Sequence, residues 1–196
     1  MTAEGRALAV LAFWGRNMAP IRAKGWTWPG FDYREEEWRR LLALANTVSF
    51  DAFVSFQVAT AVLMIALIGL VVGGGAAIVV PLYQMMPSTW APPGLLGLLV
   101  TMAIAVFLLF GYGLPLVVRA AAAFATNDAM RAQLSPAPGD AELAAKIPRQ
   151  FRRMAAFMAG VLFLIAVSET YLPESAQHWA AIVLAVGSGL VALIWL

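Results

Sequence analysis

Between Asp51 and Arg119 the chain carries no charged residue, and all of its Lys and Arg fall in two clusters flanking that gap. The first is Arg6, Arg16, Arg22, Lys24, Arg34, Arg39 and Arg40; the second is Arg119, Arg131, Lys146, Arg149, Arg152 and Arg153. An uncharged stretch of this length has room for two passages through a bilayer, each needing roughly 20 apolar residues. Lys and Arg are unfavourable to translocate, so both clusters belong on the cytoplasmic side. The chain therefore reads as an all-α, polytopic membrane protein with both termini inside. This pattern says where the chain sits and how it is threaded, and names no reaction.

The composition agrees. Hydrophobic residues make up 62% of the 196 residues and charged residues only 12%, against about 25% charged in a soluble domain. The net charge of +2 conceals a split. The inner segments hold thirteen bases and nine acids, giving +4, while Glu169 and Glu174 on the outer side give −2. The inner excess points to anionic lipid at the membrane surface. It does not point to nucleic acid, because the bases are spread over two segments and mixed with acids. No cysteine is present, which removes disulfides, thiol redox chemistry, iron–sulfur ligation and cysteine-based zinc sites. With His178 as the single histidine, one chain cannot supply both ligands of a bis-histidine haem. No cofactor held by this chain alone is expected; a haem or metal shared with another chain stays open.

The threading predicts four transmembrane helices, at about 53–82, 94–118, 154–172 and 178–196, with a cytoplasmic connection over 119–153. Residues 1–50 read as an inner-surface amphipathic segment. A short interfacial helix over 5–18 is followed by breaks at Pro20 and at Gly25–Gly30, then by an amphipathic helix capped by Asp32. Its stripe is Trp38, Leu41, Leu42 and Ala45, on the i, i+3, i+4, i+7 rule. Glu35–Arg39 and Glu36–Arg40 are i, i+4 pairs in the favourable order. The apolar run at 7–14 is too short to span and lacks a cleavage site, so it is not a signal peptide. In the first span, longer than a bilayer requires, Gly73-Gly74-Gly75 is the soft point. In the second, Gly111-Tyr112-Gly113-Leu114-Pro115 predicts a kink. Beyond Arg119 the alanine-rich helix is expected to continue without a breaker to Ser135. There it would turn into a short helical hairpin held by Phe124, Leu134, Leu143 and Ile147. The last span ends at Leu196, placing the terminal carboxylate at the inner headgroups.

Tryptophan and tyrosine prefer the membrane interfaces, and here they fit the same threading. Tyr83, Trp90, Tyr171 and Trp179 fall at the outer boundary and Trp195 at the inner one. Trp14, Trp26, Trp28, Tyr33 and Trp38 fall in the inner segment. Only Tyr112 is placed at depth.

Few residues suggest chemistry. Gly69, Gly73 and Ala77 form a small-residue face that permits close helix packing, either within the chain or between chains. Glu169 lies near the outer boundary, as an interfacial carboxylate or a cation entry point. Glu169, Glu174 and His178, one histidine and two carboxylates, make a weak metal signal without a third fixed ligand. Gln57 is the polar side chain in the spans that most needs a partner, and Asn127-Asp128 is either solvated surface or a contact for a partner or cation. No span has a charge near its centre, and no phosphate loop, nucleophile elbow or HExxH pattern occurs. The function expected from this is a structural or accessory subunit of a larger membrane complex, without catalytic chemistry of its own. Its partners would be membrane lipid and other membrane subunits or copies of itself. The alternative is a homo-oligomeric channel or small-solute permeation protein. A bacterial plasma (inner) membrane suits so complete an inside-positive bias.

Overall fold

The computed structural model describes residues 2–24, 33–87 and 94–171. The expected fourth span at 178–196, with Glu174 and His178, lies outside the described residues, as do Asp32, Trp26, Trp28, Trp90, Trp179 and Trp195. The elements in chain order are α1 (Ala3–Ala23), α2 (Glu35–Ala45), α3 (Phe50–Met85) and α4 (Gly94–Leu108). A π-helical turn (Leu109–Gly113) follows, then α5 (Leu114–Ala125), α6 (Asp128–Gln133) and α7 (Asp140–Tyr171). No strand occurs among the described residues. Three helical segments are long and apolar enough to cross a membrane: Phe50–Leu82, Val100–Ala125 and Asp140–Ser168. By these the protein is a membrane protein.

The N-terminal helix departs from the expected interfacial one. Leu8, Ala9, Val10, Leu11, Ala12, Phe13, Trp14 and Gly15 are all buried, and α1 packs against α2, α5 and α7. The reason is in the residues: this run has no polar face to give to water, and a helix apolar all round is stable only when enclosed. Pro20 does not break α1, which continues to Ala23. The stripe on α2 is also turned inward. Trp38, Leu41, Leu44 and Ala45 are buried against α1 and not spread on lipid, while Leu42 is half-buried. The contact is close because residue 15 is glycine: a Cβ there would collide with the Leu41 carbonyl. Phe13 stacks on Phe56 at 4.6 Å, which ties the first turns of α3 to the same core. With Val118, Ala121 and Ala122 of α5, Met130 of α6 and Leu143, Ile147 and Phe151 of α7, these residues form one body, hereafter the headpiece.

The hairpin beyond the second span differs in detail. Leu143 and Ile147 are buried, but Phe124 is 77% exposed and is no contact of it. The helix stops at Ala125, ahead of Thr126 in extended conformation. Asn127 then caps α6, its Oδ1 accepting the Met130 N–H at 2.8 Å. A side chain that bonds nearby backbone competes with continuation of the helix, and this one prevails over the alanine run.

Above the headpiece, α4 lies along α7, with Ala103, Ala155 and Ala166 buried. Small residues let backbones approach where lipid supplies no hydrophobic drive. Helix α3 passes through Gly73-Gly74-Gly75 and Pro81 without a break. A helix in lipid has no solvent to satisfy opened backbone groups, so glycine alone does not interrupt it.

Gly15→Ala should destabilise the headpiece by about 1–3 kcal/mol, the usual cost of overpacking. Gly75→Ala, where nothing lies within 4 Å of the added carbon among the described residues, should be neutral or slightly stabilising. Thermal unfolding in detergent, followed by tryptophan fluorescence, distinguishes the two.

Candidate functional site: the headpiece lock and its junction with the spans

Three polar links join segments about a hundred residues apart. Arg40 donates from Nε and Nη2 to the two carboxylate oxygens of Asp140, at 2.9 and 2.7 Å. It also donates to the Ser135 carbonyl at 2.7 Å. Lys146 pairs with Glu37. Between these and the core, the Trp14 indole N–H donates to the Tyr33 hydroxyl at 3.0 Å, which donates to Gln150 Oε1 at 2.8 Å. Trp14 meets Phe151 edge-on at 5.4 Å. These bonds hold the first cluster of bases and the second at the same end of the apolar helices.

Burial works against ionisation of Asp140. The hydrogen bonds from Arg40 and the Ala137 N–H, with the charge of Arg40, outweigh it, so its carboxyl titrates below its usual range. Glu37 behaves alike: burial raises it, and Lys146 and the Arg34 backbone bring it below its usual value. Burial lifts the Tyr33 phenol well above its ordinary value, against the lowering effect of the Trp14 hydrogen bond, so it remains a donor. The turn entering α7 is set by Gly139 at φ +92°, a region where side chains are strained.

The junction is built on Gly111-Tyr112-Gly113. Gly111 admits α7: a Cβ there would lie 3.4 Å from that of Ala155. Gly113 admits α3, since its Cβ would meet the Leu67 side chain. Between these two approaches Tyr112 projects outward, 49% exposed. Where the kink is expected stands a π-helical turn ahead of Pro115, a local change of hydrogen-bond register next to a residue with no N–H to donate. Tyr112 has a charged neighbour. The Arg152 guanidinium lies 5.8 Å from its ring centroid, at the charged end of the third apolar segment.

The other singled-out residues separate. Trp38 and Leu41 serve the headpiece core. Gln57 Nε2 donates to Asn17 Oδ1 on α1 at 2.7 Å, so its amide is engaged. Gly69, Gly73 and Ala77 are exposed, and among the described residues nothing lies within 4 Å of a Cβ at Gly69 or Gly73. Glu169 is in the last turn of α7, but its side chain and His178 are outside the described residues. Arg39 pairs with Glu35 at 3.5 Å as expected, whereas Arg40 leaves Glu36 for Asp140. Asp128 pairs with Arg131 at 2.9 Å. Thr101 and Ser168 donate to carbonyls of their own helices; the Thr60 hydroxyl has no partner among the described residues. Sequence reading missed Gly15, Tyr33, Asp140 and Gln150. The one available signal was Gly15 inside an apolar run, since glycine in a helix interior costs about 1 kcal/mol and calls for a packing reason. Among the described residues no three His, Asp or Glu gather as a metal site. Comparison with protein-family models, curated proteins and solved structures gives no match.

Asp140 and Glu37 titrate below their unfolded values of 3.8 and 4.5. Their contribution is complete above those values and is lost as pH falls through the lower, folded ones. Headpiece stability should therefore hold between about pH 5 and 7 and fall below about pH 4. Asp140→Asn should lower the plateau by about 1.5–3 kcal/mol, the worth of hydrogen bonds to a charged group, and weaken the acid-side fall. Thermal unfolding across pH checks both.

Proposed function

We propose that this chain is a structural or accessory subunit of a larger membrane protein complex, without catalytic chemistry of its own. The observation that carries this reading is the state of α3. Among the described residues none of its most apolar 18-residue window is buried, and its small-residue face of Gly69, Gly73 and Ala77 is exposed. An apolar stretch with glycines that allow backbone approach, exposed among the described residues, suits docking against another membrane helix. The headpiece supports the same reading. Its buried or half-buried polar groups are spent on one another, through Arg40–Asp140, Glu37–Lys146 and Trp14–Tyr33–Gln150, which makes it a rigid platform at the foot of the spans.

The base-rich headpiece belongs to the cytoplasmic side of a bacterial inner membrane. Residues 178–196 supply a fourth span that returns the C-terminus to that side. The partners are membrane subunits and lipid, and not nucleic acid.

Native mass spectrometry of the protein extracted gently from its own membrane tests the reading. Other polypeptides at fixed stoichiometry are expected. Gly73→Leu should reduce their recovery by about tenfold, the effect of about 1.4 kcal/mol at an interface, while Val72→Leu leaves it unchanged. Deleting residues 1–45 would not discriminate, because it removes Leu11, Phe13 and Leu41 from the core. A bare monomer would end the subunit reading. A closed ring of copies would replace it with the channel.

A further inference from the structure

We infer that Tyr112, Arg119 and Arg152 form a binding site for the phosphodiester headgroup of an anionic phospholipid in the leaflet beside the headpiece. The inference needs only that the protein is embedded in a membrane, so its failure would leave the subunit reading untouched.

Among the described residues Arg22, Arg39, Arg40, Arg131 and Lys146 each have a carboxylate partner, and all belong to the headpiece. The other eight bases have none there, Arg119 and Arg152 with them, and Arg152 is the one whose guanidinium meets Tyr112. Arg152 spends Nε on the Pro148 carbonyl at 3.2 Å. Its terminal amino groups are left without a hydrogen-bond partner among the described residues, with the guanidinium over the Tyr112 ring. The Tyr112 hydroxyl likewise has no partner among them. Arg119 lies seven residues on, two helical turns or about 10 Å towards the headpiece. Tyr112, Leu116 and Arg119 are all exposed on this side of the rod, so Arg119 can reach back along Leu116. At Gly111 Arg152 lies alongside, its Cγ 3.6 Å from where a Cβ would stand, and Tyr112 next to it is exposed.

The surroundings select the ligand. Guanidinium groups bind phosphate oxygens through paired, charge-assisted hydrogen bonds, and a phenol adds a donor at the same level. Immediately above, Phe107 meets Tyr112 edge-on at 5.7 Å, and no charged residue occurs from there to Gly94. A free phosphate would use the guanidinium groups and leave this apolar wall unused. A phospholipid uses both, with its headgroup between Arg119 and Arg152 and an acyl chain along α4. From Arg153 to Tyr171 helix α7 extends about 27 Å at roughly 1.5 Å per residue, close to the ~30 Å hydrocarbon thickness, which suits a headgroup level for Arg152.

The test is native mass spectrometry of the full chain released from mixed micelles of phosphatidylglycerol and phosphatidylcholine. The unaltered protein should retain phosphatidylglycerol preferentially. Arg119→Gln with Arg152→Gln should cut that preference by about tenfold, as expected for lost charged hydrogen bonds. Arg6→Gln with Arg39→Gln, which removes as much charge from the exposed headpiece surface, should leave it unchanged. Three results would overturn the proposal: no preference in the unaltered protein, equal loss in both double variants, or displacement of the lipid by millimolar inorganic phosphate. The first is read on the unaltered protein, so a folding defect in a variant cannot mask it.

Discussion

Enclosure of α1 is the constraint on which the base of this protein depends. Eight successive residues, Leu8 to Gly15, are buried, and a helix reaches that state only when neighbours approach from all sides. Helix α2 covers one side through the bare backbone of Gly15. Helices α5 and α7 cover others, and Phe56 of α3 stacks on Phe13. The segments that wrap α1 come from both ends of the long uncharged stretch, so folding the headpiece also gathers the feet of the spans. The Arg40–Asp140 and Glu37–Lys146 pairs then fix the register between α2 and the start of α7. Their partial burial gives each pair a desolvation cost that its hydrogen bonds offset, so these pairs serve alignment more than raw stability.

The Gly111-Tyr112-Gly113 turn links this body to the apolar helices. Helix α7 lies in van der Waals reach of a Cβ at Gly111, α3 lies closer still at Gly113, and Tyr112 between them is exposed. The π-helical turn here sits where the charged part of α7 gives way to its apolar part. One local sequence thus settles the packing of α3 and α7 on the second rod and the position of an aromatic ring beside Arg152. The same turn marks a division of labour. Below it side chains interlock; above it, among the described residues, α4 and α7 pack along buried alanines.

Much of the fold was legible because it rests on local or additive terms. The apolar lengths of α3, the α4–α5 rod and α7 follow from runs of hydrophobic residues, and the i, i+4 pair Glu35–Arg39 from spacing alone. The stripe of Trp38 and Leu41 was legible as a stripe, but not its destination. An apolar face is equally content with lipid or with another helix, and only the presence of α1 decides between them. Arg40 shows the same limit. Spacing offers it Glu36, while the fold offers a bidentate contact to Asp140 with better geometry. Gln57 announced a need for a partner without naming Asn17. Asn127 was read as a surface polar residue, although the cap it makes is what ends α5.

By itself the sequence determined that this is an all-helical membrane chain, because burying backbone in lipid permits little else and its charges are confined to two clusters. Tertiary structure alone decided that those clusters close into one headpiece around α1, and that Tyr112 stands beside Arg152. Both depend on contacts between residues tens to a hundred positions apart. Hydropathy and helical period describe each segment separately and carry no information on which neighbour its apolar face will meet.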